Sequence, residues 1–187
     1  MSVLVISDTH GSLESFERCL KVAEYLGPVD LILHCGDVLG HGWRPDPLLP
    51  GMEDELAFRL RKLPADRIFF VRGNGDHEED EAAIGKPLMI AERIVEWRQW
   101  RVFMTHGHRE SFLATHYKAL ESGANLWVTG HTHCKKLELA DGLIWLNPGS
   151  PARPRDGVPS CALLRDDDVL LLDVRSGKVV RKLTREA

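Results

Sequence analysis

Gly130-His131-Thr132-His133 closes a short apolar run, Asn125-Leu126-Trp127-Val128-Thr129. In an extended segment, side chains two residues apart point to one side, so His131 and His133 can offer imidazole nitrogens to a common point, as metal ligands often do. A histidine pair alone is more often a surface loop, so its partners decide the reading. Metal-capable polar residues stand at the ends of four other apolar runs: Asp8 with His10, Asp37, Asn74 and His106. Carboxylate, imidazole and amide donors together suit Mn(II), Fe, Ni(II), Co(II) or Zn(II) better than an all-oxygen magnesium or calcium cage or a thiolate zinc site.

Residues so far apart in sequence need elements that gather them. Residues 2–7 read as a buried strand ending at Asp8-Thr9-His10-Gly11. Ser12 is a plausible N-cap, after which Leu13, Phe16, Leu20 and Ala23 recur at helical spacing until Gly27-Pro28 stops the helix. The unit repeats: residues 30–35 end at Gly36-Asp37, a Pro/Gly-rich loop follows over 38–51, and Leu56, Leu60 and Leu63 mark another helix. A third strand, residues 67–71, ends at Arg72-Gly73-Asn74-Gly75-Asp76. Parallel strands present their C-terminal ends along one sheet edge, which brings Asp8, His10, Asp37 and Asn74 together.

The second half has a different rhythm. Residues 88–97 and 101–105 alternate as antiparallel strands do, the latter ending at His106-Gly107-His108, and a helix follows over about 110–122. Beyond the histidine pair come short strands over 135–139, 143–147, 160–165, 168–174 and 178–183, with Asp141-Gly142 and Ser176-Gly177 as turns. This pattern predicts one domain over residues 1–187, built of two facing sheets with helices on the outer faces. The acidic stretch 76–81 reads as a solvated loop or helix start, and 175–185 as a solvated edge hairpin.

Composition excludes more than it assigns. With 43% hydrophobic and 28% charged residues and a net charge of -4, the chain gives no general electrostatic reason to expect nucleic acid or an anionic membrane as partner. Its first apolar run is too short for a signal-peptide core, and no run approaches a membrane span, so a cytoplasmic protein is expected. Cys19, Cys35, Cys134 and Cys161 show no paired spacing, which fits reduced thiols; Cys35 and Cys134, although close to the motifs, read as small buried hydrophobes. Exposed strand edges and Trp43 leave a homodimer open.

The ordered set Asp8-Thr9-His10, Gly36-Asp37, Gly73-Asn74, Thr105-His106-Gly107-His108 and Gly130-His131-Thr132-His133 resembles the calcineurin-like metallophosphoesterases. Within them it is most similar to the YfcE-type phosphodiesterases, through Gly36-Asp37-Val38-Leu39-Gly40-His41-Gly42, the Gly-Asn-x-Asp form of the third motif, and Asn147-Pro148-Gly149-Ser150. The resemblance implies an α/β four-layer αββα sandwich of two facing mixed sheets. It also implies two divalent metals, manganese favoured, one held by Asp8, His10, Asp37 and His133 and the other by Asp37, Asn74, His106 and His131. The implied activity is hydrolysis of a small phosphate ester, foremost a phosphodiester, by in-line attack of a hydroxide shared between the metals. Asp37, Asn74 and His106 form the expected catalytic set.

One departure bears on mechanism: many relatives carry histidine directly after the motif asparagine, and this chain has Gly75. Without a strong acid there, esters with good leaving groups should react more readily than alkyl esters. His41, His77 and His108 lie near the motifs, Asp76 reads as orienting a neighbouring ligand, and Asn147-Pro148-Gly149-Ser150 as a structural turn. Arg153 and Arg155, in the Pro-rich loop that follows, are candidate grips for a substrate phosphate together with His41. A second class stands beside the enzyme, a non-catalytic metal-binding or interaction scaffold of the Vps29 type. A Rossmann-type nucleotide binder would need Gly-x-Gly-x-x-Gly after the first strand, which Asp8-Thr9-His10-Gly11 is not.

Overall fold

The computed structural model describes residues 1–40 and 54–185. Strand β1 (Ser2–Ile6) is followed by helix α1 (Leu13–Tyr25), β2 (Val29–His34), α2 (Glu55–Arg61), β3 (Ile68–Phe70) and α3 (Glu78–Ile84). Then come β4 (Glu92–Trp97), β5 (Trp100–Thr105), α4 (Phe112–Glu121), β6 (Leu126–Val128), β7 (Lys136–Ala140), β8 (Leu143–Asn147), β9 (Ser160–Leu164), β10 (Asp168–Asp173) and β11 (Val179–Thr184). One sheet runs β11-β10-β9-β1-β2-β3 and the other β4-β5-β6-β8-β7, both mixed.

The layers follow from alternation along the strands. In β1, Val3 and Val5 pack between the sheets with Val102 and Met104 of β5, Leu126 and Val128 of β6, and Ala162 and Leu164 of β9. The intervening Leu4 and Ile6 face outward onto Phe16 and Leu20 of α1 and Leu56 and Leu60 of α2. On the far side, Phe103 and Trp127 point away from the intersheet core and pack against Ala119 of α4. Helices therefore cover both outer faces, giving the αββα sandwich. Because both faces of β1 are covered, it reads as an unbroken apolar run rather than an alternating one.

Helix ends are set locally. The Ser12 hydroxyl accepts the Ser15 N–H at 3.2 Å to start α1, and Asp54 Oδ1 accepts the Ala57 N–H at 3.0 Å to start α2. The two facing sheets expected from the sequence form, but the two halves of the chain do not divide between them. Strand β9 pairs antiparallel with β1, and β10 and β11 extend that sheet, so the C-terminal strands complete the N-terminal sheet. The edge strand β11 is exposed as the hairpin reading expected. No helix among the described residues is long and apolar enough to cross a membrane.

Candidate metal centre

Each candidate ligand leaves the C-terminal end of a strand: Asp8 and His10 follow β1, Asp37 β2, Asn74 β3, His106 β5, and His131 and His133 β6. The extended-segment route to the histidine pair is corrected. Strand β6 stops at Val128, and His131 and His133 both adopt left-handed backbone, with φ of 66° and 57°. Just before the pair, Gly130 passes the end of β1 so closely that a Cβ there would overlap the Ser7 hydroxyl, which requires glycine at that position. Asp8, His10 and Asp37 are left-handed too, with φ of 56°, 45° and 53°. Such backbone costs a non-glycine residue of order 1 kcal/mol, and it turns each side chain back over the sheet edge. Loop-to-loop hydrogen bonds hold it: Asp8 N–H to Gly36 O at 3.0 Å, His10 N–H to Asp37 O at 3.0 Å and Gly11 N–H to Val38 O at 2.8 Å.

The fold brings all seven side chains to one place. Ligand atoms of Asp8, His10, Asp37 and His133 all lie within 4.8 Å of one another. Asn74 Oδ1 sits 3.2 Å from His106 Nε2 and 2.8 Å from His131 Nδ1. The two oxygens of Asp37 face different groups: Oδ2 lies 3.9 Å from His10 Nε2, and Oδ1 lies 3.6 Å from His106 Nε2.

Tautomers are fixed from behind. His106 Nδ1–H donates to the Cys35 carbonyl at 2.6 Å and His133 Nδ1–H to the Arg153 carbonyl at 2.8 Å. Their Nε2 lone pairs therefore turn toward the carboxylates, as ligating histidines require. His133 Nε2 faces Asp8 Oδ1 at 3.2 Å and His10 Nε2 at 3.2 Å. That Asp8 oxygen is buried without a hydrogen-bond partner. Acceptors crowded in this way repel unless a proton or a cation stands among them. The Asp8 carboxylate raises His133 above its ordinary value; burial works to raise Asp8, but the His133 and His106 contacts overcome it and hold its carboxyl low. Burial, ahead of charge effects, lowers His10 and His131. An orphaned buried carboxylate oxygen amid carboxylate, imidazole and amide donors fits divalent metal binding.

Asp76 organises the two loops that carry Asp37 and Asn74. Its carboxylate accepts the N–H groups of Asp37 and Val38, each at 2.8 Å, and of Gly73 at 2.7 Å. Burial pushes this carboxyl up to about 6 while the three donors pull the other way. The solvated reading of 76–81 is thus overturned for Asp76 and Asp80, both fully buried. Asp76→Ala leaves three buried N–H groups unpaired, and urea unfolding of the metal-free protein is expected to show a loss of about 3 kcal/mol or more.

Other residues near the motifs resolve in different ways. The Asn147 side chain donates to the Gly130 carbonyl at 2.7 Å and the Ser150 hydroxyl to the Asp8 carbonyl at 2.7 Å, so this turn braces the ligand loops. His77 caps α3, its N–H bonded to Asp80 Oδ2 at 3.0 Å. The His108 ring stands 5.3 Å from that of His106, and burial, helped by His106, lowers it to about 4. His34, which the sequence reading passed over, is fully buried with Nε2 2.8 Å from Thr9 Oγ1; its only signal was a polar residue interrupting an apolar strand. Cys35 is buried as expected, but Cys134 is exposed. Cys35 serves the site through its backbone carbonyl, so Cys35→Ser is expected to leave bound metal unchanged when metal is counted per chain. His41 and Trp43 lie outside the described residues. A cleft of about 450 Å³ opens over His10, Asp37, Asn74, His131 and His133, with Arg153, Pro154 and Arg155 on its rim.

Phosphodiesterase YfcE of Escherichia coli K12 is 35% identical over 173 residues, covering 91% of this chain and 90% of the relative. The solved structure of the E. coli phosphoesterase Yfce superposes with a TM-score of 0.79 at 27% identity, covering 100% of both chains. Vacuolar Protein Sorting 29 from Cryptosporidium parvum, at 20% identity and a TM-score of 0.67 over 98% of this chain and 97% of that one, shares the fold. Residues 1–168 match the calcineurin-like phosphoesterase superfamily domain, and with the strand-end cluster of metal-capable donors this establishes that the chain belongs to the calcineurin-like phosphoesterase superfamily.

Proposed function

We propose that residues 1–187 act as one metallophosphoesterase domain that hydrolyses a small phosphodiester, with phosphomonoesters as poorer substrates. The observation that carries this reading is Asp37, whose two oxygens face two different sets of ligand-type side chains. Asp8, His10, Asp37 and His133 would hold one divalent ion and Asp37, Asn74, His106 and His131 the other, with manganese favoured. When bound, the pair supplies a water activated at neutral pH and neutralises charge developing on the phosphoryl oxygens.

The chain's own groups set up that chemistry. Carbonyls of Cys35 and Arg153 fix His106 and His133 in the tautomer that presents Nε2 to the cleft. The Gly75 N–H holds Asp37 Oδ1 at 2.7 Å, and a side chain at position 75 would lie over that carboxylate. With glycine there and His108 lowered to about 4, neither position 75 nor His108 supplies a protonated side chain at neutral pH to the departing oxygen. Esters with good leaving groups are the favoured substrates for that reason. Arg153 and Arg155 would contact the substrate from the rim. Four unbonded cysteines support a reducing compartment such as the cytoplasm.

The test is hydrolysis of bis(p-nitrophenyl) phosphate and p-nitrophenyl phosphate by chelator-stripped protein reloaded with Mn(II), Ni(II), Co(II), Zn(II) or Mg(II), with bound metal counted in parallel. Turnover restored by metal, at about two ions per chain and with the diester preferred, is the expected result. A folded protein inactive with every metal would overturn the catalytic reading and leave the scaffold.

A further inference from the structure

We propose that Arg153 and Arg155 form a subsite for a second phosphate, so that the substrate is a phosphate ester carrying a phosphomonoester group besides the linkage that is cleaved. The proposal rests on the phosphoesterase reading of the metal centre and extends it to the substrate.

The two arginines share the rim of the cleft above His10 and His133. Their backbone is pinned to the ligand loops. The Arg153 N–H bonds the Ser150 hydroxyl at 2.8 Å, and that hydroxyl itself donates to Asp8 O at 2.7 Å. The Arg155 N–H bonds His133 O at 3.0 Å, and Arg153 O accepts from the His133 ring at 2.8 Å. Pro151 and Pro154 stiffen the same stretch. The guanidinium groups therefore hang from a platform whose position is tied to the metal ligands, which lowers the ordering cost of binding.

Among the described residues their charge is also uncompensated. The one carboxylate in this loop, Asp156, is turned away: it accepts both the Lys135 N–H and the Lys135 ammonium at 2.8 Å. Neither arginine forms an ion pair among the described residues, in a chain whose net charge is -4. Among the described residues, a loop that pairs its only acid with a lysine leaves two rim arginines, two residues apart in sequence, for an external anion.

A phosphodiester carries a single negative charge, which divalent ions held on the cleft floor would meet. Two further positive charges on the rim exceed what that linkage can use. A phosphomonoester carries about -1.5 to -2 at neutral pH and offers several acceptor oxygens, which matches a pair of guanidinium forks.

The decisive comparison uses thymidine 5′-(p-nitrophenyl phosphate) with and without a 3′-phosphate, two esters with the same scissile diester and leaving group. In metal-loaded wild-type protein at low ionic strength the 3′-phosphate is expected to raise kcat/KM about 10-fold or more. In the Arg153→Ala, Arg155→Ala double variant that ratio falls to about one, and in the corresponding lysine variants part of it survives. Calorimetry supplies a reading independent of turnover: thymidine 3′,5′-bisphosphate is expected to bind wild-type protein more tightly than thymidine 5′-monophosphate, and the double variant to lose the difference. Equal kcat/KM for the two esters in the wild type, or a preference that survives in the double variant, overturns the subsite alone. No turnover of either ester overturns the phosphoesterase reading as well.

Discussion

Replacing Asp37 by alanine is expected to lower metal-dependent kcat/KM by about 10³-fold or more and to reduce bound metal from about two ions per chain to less than one. The size of the effect follows from the side chain's position. Oδ2 faces His10 and Oδ1 faces His106, at 3.9 and 3.6 Å, so removing one carboxylate takes a donor from both groups. Asp8 cannot take over, because its Oδ2 already accepts the His131 N–H at 3.1 Å and only Oδ1 remains. Losing stabilisation of a phosphoryl transition state by a few kcal/mol corresponds to about three powers of ten in rate. Asn74→Ala provides the contrast. It removes the amide oxygen shared by His106 and His131 and leaves the Asp8, His10, Asp37 and His133 group whole, so one ion should weaken more than the other. Metal titration followed by elemental counting separates the two variants. Wild-type activity in a folded Asp37→Ala protein would overturn the bridging role.

The seven candidate ligand positions, which the fold brings together, were legible because each stands where an apolar run gives way to polar residues and glycine, a local signal that needs no tertiary knowledge. The layers were legible for a related reason: β1 is buried on both faces and most of β2 and β3 is buried, and such burial leaves a nearly unbroken apolar run. What local pattern does not carry is the choice of sheet. The runs at 160–165 and 168–174 fit either sheet equally, and only the pairing of Val3 with Leu164 and Val5 with Ala162 assigns them to the first. Backbone handedness at the candidate ligands was equally hidden, since His131 and His133 have the spacing of a strand yet both adopt left-handed backbone. Asp76 and Asp80 lie in an acidic stretch whose composition favours solvent; their burial depends on the N–H groups that converge on them from other loops and from the start of α3. A role played through a carbonyl, as at Cys35 and Arg153, leaves no mark on the residue type at all.

Loading the metal-free protein with divalent cation is expected to raise its melting temperature by about 10 °C or more. In the metal-free chain the site crowds groups that a cation would draw together: Asp8 and Asp37 carboxylates stand among His10, His106 and His133, Nε2 of His10 and of His133 face each other at 3.2 Å, and five candidate ligand residues hold left-handed backbone. A ligand that binds only the folded state stabilises it by about 2.7 kcal/mol per site at 100 times its Kd, so two filled sites contribute about 5 kcal/mol. For a chain of 187 residues each kcal/mol moves the midpoint by about 2–4 °C. Differential scanning calorimetry across a metal titration measures the shift, and the same titration on Asp37→Ala separates site binding from general salt effects. The variant should show less than half the wild-type rise, because neither group of ligands is complete without that carboxylate. A midpoint unmoved by every divalent metal would mean that the converging acceptors are satisfied by protons alone, and that the strained loops were not built around a cation.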